Sequence, residues 1–273
     1  LDLPSKEWVA FSKKHWKVTT SPRQVSPSQW DELSTIAAKS DIESFCSTLL
    51  GFLAKKDVPL VVDHTPANIV NFRILSESFP RAKFLHIIRD GRGVFASLKN
   101  VMWGANTPIA AAEYWARFIA HGFVAKSLGS EDQYKEVHYE KLLQDPNEII
   151  EIVKWLGDES VTAENFTQVV ASEEEVHTEV PKHTQAQHAL VNKGPQTSRI
   201  DAWKKELSVK EIKVFEKHVG NLLSFYGYKL EEKNNAYISR KYRLSMQAKE
   251  FFKGAIINPI RNILRTGSKH LGA

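Results

Sequence analysis

The stretch FPRAKFLHIIRDGRGVFASLKN, Phe79 to Asn100, decides how this chain folds. Lys83 to Ile88 alternates and then fills with apolar residues, the pattern of a strand covered on both faces. The strand ends at Arg89. Asp90 can cap the helix that follows, Gly91 and Gly93 leave its first turn uncrowded, and Val94, Phe95 and Leu98 give it an apolar face. Arg89, Arg92 and Ser97 therefore gather where a strand hands over to a helix N-terminus. Free backbone N–H groups and the helix dipole make such a place attractive to anions.

Upstream, PLVV at Pro59 to Val62 reads as another strand, running into Asp63-His64-Thr65-Pro66 and a helix from Ala67 to about Ser78. Two successive βα units predict an α/β fold with a parallel sheet and right-handed crossovers. In open sheets of this kind ligands bind at the carboxyl ends of the strands, so both corners should face one crevice. Two helices precede these units, one started by Ser26-Pro27 and one over Ile42 to Lys55 capped by Asp41. Downstream the pattern gives a helix at Pro108 to Leu128, a strand at Tyr134 to His138, a helix at Pro146 to Leu156 and a helix at Ser208 to Phe225. Between Glu164 and Gln196 periodicity weakens, and a loop-rich region is expected.

The 273 residues, 42% hydrophobic, suffice for one sizeable core or a core plus an appendage. A lone cysteine, Cys46, excludes an internal disulfide and points to a reducing, cytoplasmic setting. No apolar run reaches the length of a membrane span. Charge is unevenly placed. From Lys233 to Ala273 nine Lys or Arg stand against Glu250 alone, a formal +8, which leaves −3 for the remaining residues of a chain whose net charge is +5. The basic character belongs to a tail, and residues 1–232 form the folded domain in this reading, with 233–273 the basic extension. A mildly acidic body argues against nucleic acid as its partner.

FPRAKFLHIIRDGRGVFASL resembles the 3′-phosphate-binding segment of the PAPS-dependent sulfotransferases, in which an Arg ending a strand and a Ser eight residues later hold the 3′-phosphate of the donor, 3′-phosphoadenosine 5′-phosphosulfate. Arg89 and Ser97 have that spacing. Three further segments agree in order. VVDHTPANI resembles the strand end that carries a catalytic His or Lys, here His64. VHYEKLLQDPNEIIEIVKWLG resembles the segment whose Tyr, here Tyr139, lies near the adenine. SRIDAWKKELSVKEI resembles the late Ser and Trp segment, with Ser198. The four span about Leu60 to Tyr228. The resemblance implies a three-layer, parallel-sheet, P-loop-like sulfotransferase fold. It implies sulfuryl transfer from PAPS to a hydroxyl or amine of a carbohydrate, lipid or other small acceptor, without a metal.

In one respect the chain departs from that family, which cradles the 5′-phosphosulfate in a glycine-containing loop near its N-terminus. Here no glycine precedes Gly51, and TTSPRQVSPS, Thr19 to Ser28, offers hydroxyls and Arg23 but none of the freedom glycine gives a phosphate loop. The alternative for that stretch is a helix-capping turn. The expectation is a chain lacking its first strand and phosphosulfate loop, weak in transfer by itself. Two other readings stand beside it: a P-loop kinase-like phosphotransferase, for which no G-x-x-x-x-G-K-[S/T] occurs, and a non-catalytic nucleotide-binding relative. His64 can serve as general base or as a cation against charge on the leaving phosphate. Each candidate has a plainer role: Arg89 and Arg92 as surface arginines, Ser97 as a small packing residue, His64 as a half-buried strand end, Tyr139 as a core aromatic. His177, His183 and His188 lack metal-site spacing. Trp103, Trp115 or the loop-rich region could border the acceptor. The tail, KEFFKGAIINPIRNILRTGSKHLG, mixes apolar and basic residues and could touch an anionic membrane surface, pack as a helix on the body, or extend freely.

Overall fold

A computed structural model describes residues 4–14, 24–53, 62–99, 101, 104–164, 196–231 and 239–252. The chain forms two compact units. One comprises Leu1–Ala82 with Leu128–Gln133, the other Lys83–Ser127 with Tyr134–Ala273.

The first unit is helical among the described residues. Helices α1 (Trp8–Lys14), α2 (Pro27–Ala38) and α3 (Ile42–Leu53) enclose a small core of Leu33, Ala37 and Phe45, against which Trp8 and Trp30 pack. Ser26 begins α2 with a capping box: its hydroxyl accepts from Gln29 N–H, and the Gln29 side chain accepts from Ser26 N–H at 2.8 Å. Thus the described end of TTSPRQVSPS, from Gln24 onward, is a capping turn. Asp41 accepts from Ser44 N–H at 2.9 Å, starting α3. The expected strand at Pro59 to Val62 lies outside the described residues except for Val62, which is not in a strand. In place of one helix from Ala67, a 3₁₀ turn over Pro66–Asn71 leads into α4 (Phe72–Ser78). Pro66 fixes the first residue of that turn, and Thr65 before it is extended, as a residue preceding proline must be.

The second unit carries the sheet. Strands β1 (Phe84–Ile88) and β2 (Tyr134–His138) are parallel, in register from Phe84 opposite Tyr134 to Ile88 opposite His138. Helices α5 (Gly91–Lys99) and α6 (Pro108–Leu128) make the crossover between them. After β2 come α7 (Tyr139–Gln144) and α8 (Pro146–Leu156). Asp145 caps α8, and Gly157 closes it at φ +117°, a left-handed conformation that glycine adopts without strain. A 3₁₀ turn at Thr197–Arg199, the short α9 (Trp203–Glu206), α10 (Val209–Phe225) and α11 (Arg240–Phe252) complete the described part of the unit.

At β1 one face is buried and the other is not, while on β2 both Tyr134 and Val137, which lie on opposite faces, are buried. Ile88, Phe95, Trp115, Trp203, Phe215 and Leu223 are at most 4% exposed and form one core, with Phe95 stacked on Phe215. Leu85 and Ile87 point to the opposite face, where Ile87 keeps 50% of its surface. Among the described residues, β1 is therefore covered on one face only. The apolar run that suggested covering on both serves one face through Phe84, His86 and Ile88 alone.

Candidate active site

The turn after β1 is built by two side chains. Asp90 accepts from Arg92 N–H at 2.8 Å and its own carbonyl accepts from Val94 N–H, so it caps α5 as its position in the sequence predicts. Its N–H donates to Glu140 Oε1 at 3.0 Å, which ties the β1 corner to the β2 corner. Glu140 Oε2 accepts from the Tyr228 hydroxyl, and Trp115 Nε1–H donates to the Arg89 carbonyl, each at 3.0 Å. The backbone that presents Arg89 is thereby held from three sides.

Arg89 and Arg92, three residues apart, have opposite fates. Arg92 is 2% exposed and forks onto Asp90, with Nε to Oδ1 at 3.0 Å and Nη2 to Oδ2 at 2.7 Å, while Nη1 donates to Glu216 at 2.5 Å. Its guanidinium also lies 4.0 Å from the Trp203 ring centroid. All of its charge is absorbed by the core. Arg89, half-buried, donates from Nη2 to the Arg199 carbonyl at 3.0 Å and stacks 4.5 Å over the Tyr139 ring. Its Nε is buried and has no hydrogen-bond partner among the described residues. An unpaired buried guanidinium N–H is costly, and an anion is its natural complement.

Gly93 makes room for that guanidinium: a Cβ there would lie 3.0 Å from Arg89 Nε. Ser97 stands one turn further along the same face of α5 and is exposed. The contacts of Arg89 bring Tyr139 and the 3₁₀ turn of Ser198 to one place, with the Ser198 side chain exposed beside Arg199. His64 belongs to the first unit, where it is exposed. Asp63 organises its turn, accepting from Thr65 N–H at 3.0 Å, Thr65 Oγ1 at 2.6 Å and Asn68 Nδ2 at 3.2 Å. Trp115 is a core residue whose indole N–H serves Arg89. Trp103, Arg23 and the three histidines at 177, 183 and 188 lie outside the described residues, as does nearly all of the loop-rich region.

Sequence reasoning did not single out Glu140, Arg199 or Tyr228 as partners of the corner. Glu140 follows Tyr139 directly and Tyr228 ends the YGY motif, but nothing local links either to residue 90. Arg199 contributes only a carbonyl, which every residue has.

The strand-to-helix corner of this α/β unit thus holds a buried arginine N–H without a partner among the described residues. The model of the Sulfotransferase family matches residues 6–160, over half the chain, and this protein belongs to that family. The match includes His64, Arg89, Ser97 and Tyr139, while Ser198 follows it. No curated protein and no solved structure matches the chain.

Proposed function

We propose that this protein transfers a sulfuryl group from PAPS to a hydroxyl, or an amine, of a small-molecule, glycan or lipid acceptor. The proposal includes a three-layer, P-loop-like arrangement of the whole fold and a cytoplasmic setting, the latter in keeping with a chain that has a single cysteine. The buried Nε of Arg89, lacking a partner among the described residues, carries the reading. It fits a dianionic phosphate better than any neutral group.

The donor supplies the activated sulfuryl group, whose bond to phosphate breaks as the acceptor oxygen bonds to sulfur. Arg89 would hold the 3′-phosphate through Nε–H, with Ser97 donating its hydroxyl from further along α5. Tyr139 would border the adenine, and its ring already orients the Arg89 guanidinium. Ser198 would add a hydroxyl from the turn that binds Arg89 through Arg199. His64 would take the proton of the attacking hydroxyl or, as a cation, offset charge on the leaving phosphate.

Isothermal calorimetry with adenosine 3′,5′-bisphosphate and with AMP tests the assignment. The intact chain should prefer the bisphosphate, and Arg89→Ala should erase that preference by removing a charge-assisted interaction of about 1.5 to 3 kcal/mol. Equal affinity for the two nucleotides would sink it.

A further inference from the structure

Helix α11, Arg240–Phe252, has an inward and an outward face. Tyr242, Met246 and Glu250 recur at i, i+4 and i+8 and turn inward. Met246 is buried, Glu250 Oε1 accepts from Thr107 Oγ1 at 2.9 Å and from Asn106 N–H at 3.3 Å, and Lys210 Nζ sits 3.9 Å from the Tyr242 ring centroid. The single acid of the helix is thereby used up on the body. Facing away are Leu244, Ala248 and Phe251 at i, i+4 and i+7, joined by Phe252. Leu244 is 54% exposed, Phe251 73% and Phe252 54%. Arg240, Lys241, Arg243 and Lys249 are exposed around this stripe.

We infer that the outward face of α11 docks on an anionic lipid surface. The pattern combines an apolar stripe with flanking cations on a helix already secured to the protein, as an interfacial helix does. Charge complementarity names the partner: four cations and no acid of the helix face outward, on a chain whose residues 1–232 carry a formal −3. The sequence beyond the helix continues in kind, with Lys253, Arg261, Arg265 and Lys269 among Ile256, Ile257, Ile260, Ile263 and Leu264, and no acid. A polyanionic glycan or nucleic acid would use the cations but leave Leu244 and Phe251 in water. Acyl chains and headgroups together take both.

Co-sedimentation of the intact chain with vesicles tests this, comparing phosphatidylcholine alone with phosphatidylcholine containing about one-third phosphatidylserine. Binding should appear only with the anionic vesicles and weaken as salt rises. Leu244→Ser with Phe251→Ser, and separately Arg240→Glu with Lys241→Glu, should each weaken it roughly tenfold or more. All four side chains are exposed, so far-UV circular dichroism and the urea midpoint should stay unchanged. Equal pelleting of wild type and both variants overturns the inference. So does tight binding to immobilised heparin, unaffected by the serine variant, in a protein that ignores anionic vesicles.

Discussion

Gly91 and Gly93 lie two residues apart in the turn after β1 and face different neighbours. A Cβ at Gly91 would come within 2.7 Å of Trp115 Cδ2 and 2.8 Å of Phe215 Cζ, both ring atoms fixed in the core. Gly91→Ala should therefore destabilise the fold by about 1 to 3 kcal/mol, read as a lower urea midpoint. At Gly93 the added atom would meet the Arg89 guanidinium, the far end of a flexible side chain. Gly93→Ala should leave the urea midpoint nearly unchanged yet weaken adenosine 3′,5′-bisphosphate by roughly tenfold or less, since part of a charge-assisted interaction is lost. The two alanines thus separate packing from ligand binding at one turn. A Gly93→Ala chain with unaltered affinity would mean that the guanidinium position does not matter for the nucleotide.

Elements are joined by buried polar clusters, and each cluster predicts a stability effect. Arg92 couples α5 to α10 through Glu216 and to α9 through Trp203. Removing it strands two carboxylates in the core, so Arg92→Met should cost about 3 to 5 kcal/mol in chemical denaturation. Arg92→Lys should recover only part, because an ammonium cannot fork onto Asp90. The strands have their own cluster: His86 Nδ1 is hydrogen-bonded to the Tyr134 hydroxyl at 2.8 Å, with Glu136 Oε2 at 3.8 Å. Gly122 of α6 closes over the imidazole, for a Cβ there would run into its ring. Desolvation lowers the His86 pKa to about 4, and Glu136 does not offset it. In the unfolded chain the value is about 6.5, so the neutral ring contributes fully above that pH, and its contribution is lost as pH falls from about 6.5 to 4. The full loss is roughly 3 kcal/mol. Between these limits the wild-type urea midpoint should fall more steeply than that of His86→Gln. Parallel slopes for the two proteins would refute a depressed His86.

For the molecule as a whole, the two units differ in how much apolar surface each encloses. Among the described residues the core of the first consists of three buried residues with partly buried neighbours, and that of the second of thirteen. Local opening costs less where fewer apolar contacts must be broken. Native-state hydrogen exchange should therefore run faster in Pro27–Ala38 and Ile42–Leu53 than in Gly91–Lys99 and Val209–Phe225. Uniform protection across these helices would show that the chain opens as one cooperative body.

What the sequence by itself determined follows from interactions a few residues long. The bounds of α6, β2 and α8, the capping boxes at Ser26 and Ser208, Asp145 before α8 and Gly157 after it are all written in local pattern, because periodicity and caps act within one or two turns. The strand-to-helix corner that carries Arg89 and Arg92 was legible for the same reason. The resemblance put Arg89 ahead of Arg92, but that Arg92 is tied up in the core while Arg89 Nε has no partner among the described residues was not legible. Arg89 and Arg92 share a turn and a chemistry, and what separates them is Glu216, 124 residues beyond Arg92 in the chain. Likewise the helical tail segment Arg240–Phe252 hides its one acid against Thr107, 143 residues away, and so turns its cations and apolar stripe outward. Only tertiary structure decides such matters, since a side chain's partner is set by which distant elements pack against it, and local sequence holds no record of that choice.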